Sequence, residues 1–274
     1  VQGDVDYRTG NIRASGSVQI RGQVKPGFQV HAGRDVEILQ DVEEAVVEAG
    51  GDLKILGGVM SGSRISAGNS LTAKYLLNSH AEAEVDVEVK LSVTNSRIYA
   101  KGKVRVMGAQ GAIIGGEVNA ALGLEARSIG SPSSKTHVAA GVDLRVLREM
   151  EAIDKESAAA LEELASLQSN LGKSFLRDPR AAIEALPPTL RKPKLDLLMR
   201  MKALYQRTAD LKAQRQMLEM ANQELKDAQI SVHGEIHAGT TVTVFQGKLT
   251  LPETQRHVVF YFDRDQGRIA SRRL

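Results

Sequence analysis

Apolar residues recur about every six positions along residues 12–77 of the chain, with one five-residue step. Polar residues stand beside them, as in "SVQIRG" and "DVEILQ". This alternation predicts short strands that bury one face and expose the other. Three such steps make one coil, so the pattern predicts a triangular β-solenoid whose interior is lined by Ile12, Val18, Val24, Val30, Val36, Val42, Val47, Leu53, Val59, Ile65, Leu71 and Leu77.

Small-residue phrases repeat with the same period. They are "RASGSVQI", "HAGRDVEI", "EAGGDLKI", "SAGNSLTA" and "YAKGKVRV". Their turn glycines are separated by 17, 18, 17 and 34 residues, the last gap being two periods. This period is too short for a helix pair or a propeller blade and suits one solenoid coil. We expect glycines at the corners, where a positive φ is useful, and the glycines concerned are Gly16, Gly33, Gly51, Gly68 and Gly102.

The phrase "VHAGRDVEI" (residues 30–38) is echoed by "IHAGTTVTV" (residues 236–244). The apolar series therefore resumes at Ile230, Ile236 and Val242 as a further coil of the same solenoid. The following "RHVVFYFDRDQGRIA" predicts a β-hairpin that covers the open end of the stack. We expect a solenoid in residues 1–141, a helical insert in residues 142–228, and a final coil with capping strands in residues 229–274.

The helical insert is rich in Ala, Leu, Glu, Lys, Arg, Met and Gln, which favour helices. We expect helices over residues 144–170 and 194–228, joined by a proline-rich tip (residues 171–195) with a short helix at residues 180–186. Leucines stand seven residues apart in the second helix, but the other positions of this seam are poorly apolar, which predicts a weak coiled coil. Both ends of the insert must re-enter one stack, which favours an antiparallel hairpin within the chain. Alternatively, the stripe of leucines in the second helix joins two copies of the protein. The candidate partner-docking residues are Leu197, Leu204, Leu211, Leu218 and Leu225.

The phrase "TGNIRASGSVQIRGQVKPGFQVHAGRDVEI" resembles the opening of the β-solenoid domain of the flagellar assembly protein A family. The similarity continues through "EAGGDLKILGGVMSG", "NSRIYAKGKVRV" and "IIGGEVNAALGLEARSIGSPSSKTHVAAGVD" and covers nearly the whole chain. The resemblance implies a right-handed parallel β-helix, a hand that the apolar period does not reveal. It implies a bacterial, cytoplasmic protein linked to flagellar assembly and polar placement. A flagellar or polar component, or a sugar phosphotransfer protein, is the implied partner, and no catalytic residues are carried over.

Composition narrows the function classes. The chain has 274 residues, 42% of them hydrophobic, with no Trp and no Cys. The absence of Cys excludes disulfides and thiolate metal sites. The net charge is +3 from 36 basic and 33 acidic residues spread along the chain, without the concentrated cations of a nucleic-acid surface. No apolar run reaches the roughly 18 residues of a membrane span. The first residue is Val1 and no signal pattern follows, so we expect a cytoplasmic segment of a longer protein.

Few residues suggest catalysis or metal binding. His233 and His237 have HxxxH spacing, but they fall in strand and turn sequence, where we expect surface imidazoles. We expect no metal and no cofactor. One rival interpretation is a hexapeptide-repeat acyltransferase with His31 or His80 as general base. Another is a polymer-forming solenoid that stacks end to end. The interpretation that we favour is a non-enzymatic scaffold, in which the helical insert projects as an arm that docks a protein partner.

Overall fold

The computed structural model describes residues 1–172, 175 and 177–274, and only the backbone of Leu144. The predicted tip (residues 171–195) therefore contains three residues that lie outside the described residues. The chain forms two compact units. The solenoid unit comprises Val1–Asp143 and Glu224–Leu274, and the helical unit comprises Leu144–Gln223.

Twenty-one strands make up the solenoid unit. Sixteen of them precede the helical unit: β1 Ile12–Ala14, β2 Val18–Ile20, β3 Gln29–Ala32, β4 Val36–Ile38, β5 Val42–Glu43, β6 Val46–Ala49, β7 Leu53–Met60, β8 Arg64–Ala67, β9 Leu71–Leu77, β10 His80–Ala83, β11 Val87–Ala100, β12 Lys103–Val106, β13 Ala112–Ala120, β14 Gly123–Ala126, β15 Ser128–Ile129 and β16 Thr136–Ala140. Five follow it: β17 Ile230–Ile236, β18 Thr241–Val244, β19 Gly247–Thr250, β20 Gln255–Asp263 and β21 Arg268–Arg273.

The coils stack in parallel along three faces. Face 1 runs through β1, β3, β6, β8, β10, the end of β11, the end of β13, β16 and β18. Face 2 runs through β2, β4, the starts of β7, β9 and β11, and then β12, β14 and β17. Face 3 is shorter and includes β5, β15 and the first part of β13. The predicted parallel β-solenoid is confirmed, with about seven coils.

Nearly every coil buries at least one inward residue on each face. Along face 3 these residues are Val24, Val42, Val59, Leu76, Val93, Ile113, Ile129 and Ile236. Burying one such side chain contributes about 1.5–3 kcal/mol, so the stacked apolar column stabilises each coil through its neighbours. Ile12 and Val18 are only partly buried because β1 and β2 each pair with a single strand.

The predicted column is wrong at its last position. Leu76 is fully buried and pairs with Val59 and Val93, whereas Leu77 is half-buried. The steps from Leu71 to Leu76 and from Leu76 to Ala81 are five residues each, so the chain slips more than once. A corner of the coil can be one residue shorter without moving the inward side chains off their column.

The echoing phrases occupy different faces. Val30 lies on face 1, opposite Ile12, whereas Ile236 lies on face 3, opposite Ile129. The buried residues Ile230, Ile236 and Val242 confirm that the series resumes. The six-residue period is the same on all three faces. The repeated phrase therefore predicts a further coil but does not show which face it occupies.

The glycines do lie at corners, but positive φ is not the reason. None of the five turn glycines has a positive φ. At the equivalent positions Gly33, Gly50 and Gly68, an added β-carbon would lie 2.5, 2.4 and 2.2 Å from a carbonyl oxygen of the preceding coil. The equivalent of Gly33 in the third coil is therefore Gly50, not Gly51. These corners are glycine because successive backbones approach too closely for a side chain.

Positive φ occurs instead at the corner that precedes face 1. Left-handed residues stand two positions before most segments of that face, with β16 as an exception, and they are Gly10, Gly27, Glu44, Gly62, Asn78, Asn95, Gly115 and Gly239. Asn tolerates this conformation better than most residues that carry a side chain. This second corner aligns the starts of the face 1 strands.

The solenoid continues across the helical insert. Leu124 pairs with Ile230 in parallel, and Val138 pairs with Val242, although the helical unit separates these strands in sequence. After β18 the direction reverses: β19 pairs antiparallel with β18, and β20 pairs antiparallel with β17 and β21. Phe260 of β20 lies opposite Ile230 and is buried. These antiparallel strands are the predicted C-terminal cap.

In the described part of the chain, no helix is both long enough and apolar enough to cross a bilayer.

Substituting Gly68 tests the close approach of the coils. We expect Gly68→Ala to lower the free energy of unfolding by about 1–3 kcal/mol, because the methyl group would collide with a backbone carbonyl that cannot move independently. Urea denaturation followed by circular dichroism measures this. The matched control is Gly16→Ala at a corner of the first coil, where no atom lies within 4 Å of the added carbon. Equal losses in both variants would contradict the explanation.

Candidate functional site

The described residues of the helical unit include three helices. They are α1 Leu144–Leu171, α2 Pro179–Glu184 and α3 Pro188–Gln223, and a 3₁₀ turn, Glu224–Asp227, leads back into the solenoid unit. Asp178 caps α2 by accepting a hydrogen bond from the Ala181 amide at 3.1 Å. The first long helix ends within a residue of the predicted bound, whereas α3 begins six residues before the predicted 194.

The early start of α3 has a local cause. Proline suits the first position of a helix because its missing N–H would have no partner there, and Pro188 takes that position. The helix then continues through Pro193. The Arg191 guanidinium donates hydrogen bonds to the Leu186 carbonyl at 2.9 Å and to the Glu184 carbonyl at 3.0 Å. The prolines that predicted a tip therefore lie partly inside the helix.

Ion pairs show that α1 and α3 are antiparallel. Arg200 contacts Glu163, Arg207 pairs with Glu156 at 2.7 Å, and Arg215 pairs with Asp154 at 2.6 Å. The partner number on α1 falls as the number on α3 rises, as in the predicted hairpin. Arg215 occupies a seam position, where a coiled coil normally has an apolar residue. The Asp154 carboxylate, through a hydrogen bond and its charge, raises the pKa of Arg215.

The leucine stripe lies mostly along the seam between the two long helices. Leu211 is buried at 1% exposure, and Leu197, Leu204 and Leu218 are half-buried on α3. Leu225 is half-buried in the 3₁₀ turn, which belongs to the solenoid unit. The facing helix α1 buries Ile153, Ala160, Leu164, Leu167 and Leu171. Most of the apolar area of the stripe is therefore covered within the chain.

One groove between α1 and α3 remains open. It has a volume of about 470 Å³, and most of its surface is apolar. Ile153, Ala209 and the stripe residue Leu211 line it, together with Leu161 and Tyr205, which are 57% and 48% exposed. The Gln168 side-chain amide donates to the Tyr205 hydroxyl at 2.6 Å and holds the ring at the edge.

The sequence pattern predicts one residue of this groove and misses the others. Leu211 belongs to the seven-residue leucine series, but Leu161 and Tyr205 do not. Asp154 and Arg215, which form an ion pair, lie in the lining of the groove with Lys212. Arg215 stands at a seam position where an apolar residue is expected, and this departure is the sequence signal that could have indicated the groove. An arrangement of an apolar floor with charged groups beside it can bind a protein segment.

Three histidines pair with carboxylates on the outer faces of the solenoid. His31 lies 3.0 Å from Glu48, His80 lies 2.8 Å from Glu82, and His233 lies 2.8 Å from Glu125. Of the two residues of the HxxxH spacing, His233 lies on β17 and contacts Glu125, and His237 directly follows that strand. Within the described ranges, no group of three or more His, Asp or Glu side chains has the geometry to hold a metal ion.

His137 is a half-buried imidazole. It lies on β16, where the coils join across the helical insert, and its Nε2 lies 3.0 Å from the Thr243 hydroxyl. Burial lowers the pKa of His137, the Glu117 carboxylate opposes this shift, and the Lys248 ammonium adds to it. The neutral imidazole is therefore favoured in the folded chain.

This lowered pKa of His137 predicts a pH dependence of stability. The unfolded chain binds the proton more readily, so the contribution is full above the ordinary histidine pKa of about 6.5 and is lost as the pH falls below it. We expect an NMR titration to place the His137 midpoint below that value. Lys248→Met should raise the midpoint and Glu117→Gln should lower it further. A midpoint at or above the ordinary value would refute this assignment.

Comparison with known proteins identifies one family. A family model described as the Flagellar Assembly Protein A beta solenoid domain matches residues 1–269. Comparisons with curated proteins and with solved structures find no match. The matched range includes all of the helical unit, the first part of the solenoid unit and all but the last five residues of its second part.

Proposed function

Because the chain belongs to the flagellar assembly protein A β-solenoid family, we propose that it is a non-enzymatic scaffold whose helical unit docks a partner protein during flagellar assembly or polar organisation. The observation that carries this proposal is the open apolar groove between α1 and α3. The partner would be a flagellar or polar component or a sugar phosphotransfer protein, and the place of action the cytoplasm, at the cell pole.

The distribution of exposed apolar residues supports a docking role for the helical unit. Of 15 large hydrophobic side chains that are exposed in the described residues, seven lie in Leu144–Gln223: Leu161, Leu190, Leu195, Met199, Tyr205, Met217 and Met220. Exposed hydrophobic residues that cluster, rather than lie singly, mark interaction surfaces. The solenoid faces, by contrast, present mainly polar side chains beside their buried columns.

The shape of the groove favours an amphipathic helix as the docked segment. Two antiparallel helices form its walls, and a third helix packs into such a groove by interlocking ridges of side chains. Apolar residues spaced three or four apart on the incoming helix would contact Leu161, Tyr205 and Leu211. Lys212, which has no ion pair among the described residues, would orient an acidic residue of the partner.

The groove is tested by a substitution that adds charge without disturbing the fold. We expect Leu161→Glu to abolish capture of the partner in a cross-linked pull-down from native cells, because burying the new carboxylate against apolar residues costs several kcal/mol. Leu161 is 57% exposed, so the variant should fold normally, as circular dichroism would show. The matched control is Met217→Glu, at a position that is 72% exposed on α3 and outside the groove.

A chain in which a short Gly-Ser bridge replaces residues 144–223 completes this test. The proteins lost with Leu161→Glu should also be lost with this deletion and kept with Met217→Glu. The docking proposal is wrong if the deleted chain retains every partner. It is also wrong if Leu161→Glu and Met217→Glu lose the same proteins to the same extent.

A further inference from the structure

A second concave surface lies on face 1 of the solenoid, far along the sequence from the helical unit. It has a volume of about 710 Å³ and is lined by polar residues, among them Arg64, Asn78, His80, Glu82, Asn95 and Arg97. It belongs entirely to the solenoid unit and is independent of the groove proposed for docking. We call it the arginine groove.

Strand register places two guanidinium groups on either side of one imidazole. Arg64 on β8 pairs with His80 on β10, which pairs with Arg97 on β11. Neighbouring strands lie about 4.8 Å apart, so the two arginine Cα atoms are separated by about 9.6 Å. An arginine side chain is long enough for both guanidinium groups to reach one point above His80. The parallel stack thus places the two arginines two coils apart, in one row of outward-facing residues.

The two arginines are not neutralised by the chain. Within the described residues, neither Arg64 nor Arg97 has a carboxylate oxygen within the 4.0 Å of an ion pair, and both are exposed. The acid in the groove, Glu82, is engaged by His80 at 2.8 Å. The next residue of the column beyond Arg97 is Glu117, which lies 3.8 Å from the His137 imidazole. The groove therefore carries two free guanidinium groups.

The left-handed corner supplies further donors. Asn78 and Asn95 have φ of 48° and 47°, and each lies two residues before a face 1 segment, that of Asn95 being the end of β11. Their backbone amides are placed on successive coils, and the Asn78 amide is satisfied by the Thr94 carbonyl at 3.0 Å. Both asparagines are exposed in the groove, where their side-chain amides are free to donate to an oxygen ligand.

We propose that the arginine groove binds a tetrahedral dianion of the phosphate monoester class. Two guanidinium forks supply two positive charges and parallel N–H donors from opposite sides. A tetrahedral dianion has oxygens for both forks, whereas a carboxylate has one charge and only two oxygens. The side-chain amides of Asn78 and Asn95 complete the donor set at the corner.

The probe for this site is methyl phosphate, titrated into the full chain while the arginine Nε–Hε NMR signals are followed. The expected result is a saturable shift of the Arg64 and Arg97 signals, competed by sulfate and about tenfold weaker with acetate at equal ionic strength. Arg64→Gln and Arg97→Gln should each weaken binding about tenfold, and Arg64→Lys by less, because it keeps the charge and loses the fork.

The matched control is Arg13→Gln, an exposed arginine on face 1 outside the groove, which should leave the affinity unchanged. A shift that never saturates, equal affinity for acetate, or an equal loss in Arg13→Gln would overturn the proposal.

A phosphoserine peptide distinguishes the source of the ester. Tighter binding of this peptide than of methyl phosphate identifies a phosphorylated protein segment, and equal binding identifies a free small molecule.

Discussion

The close stacking of successive coils is the constraint on which the rest of the structure depends. A parallel ladder holds the coils about 4.8 Å apart, and at one corner the carbonyl oxygens approach so closely that Gly33, Gly50 and Gly68 cannot carry side chains. The same spacing aligns the buried aliphatic columns inside and the polar columns outside. The arginine groove exists because this repeat places Arg64, His80 and Arg97 in register. The outer polar columns and the arginine groove are thus consequences of the spacing between coils.

The stack also determines where an insertion can be accommodated. A β-carbon placed on Gly141 would lie 2.9 Å from the Leu225 carbonyl oxygen, so the chain leaves the solenoid unit and returns to it at nearly the same point. The Leu124 amide donates to the Gln229 carbonyl at 3.0 Å, and the ladder resumes at once. Because the ends meet, the helical unit can vary without changing the coils. This arrangement is compatible with the docking role that we propose for the helical unit.

The coil period could be predicted from sequence because inward aliphatic residues must recur wherever a coil repeats. The details that escaped prediction depend on neighbours in space. A six-residue period does not distinguish three equivalent faces, so the echo of Val30 in Ile236 is displaced by one face. The inward residue is Leu76 and not the predicted Leu77, because the number of residues in a corner depends on how the backbones pack there. The groove residues Leu161 and Tyr205 become visible only when the register of α1 against α3 is known. Leu211 could be foreseen, since its burial follows from the leucine repeat.

Hydrogen exchange in the chain that lacks residues 144–223 tests most directly whether the solenoid is a self-sufficient platform. The amides of Leu124, His237 and Phe245 donate to carbonyls of adjoining coils at 3.0, 2.9 and 2.9 Å, on both sides of the insertion point. The account predicts that these three amides remain as protected as in the full chain, because their partners all lie within the solenoid unit. Rapid exchange at His237 and Phe245, with protection kept in the earlier coils, would show that the final coil requires the helices and would contradict the account.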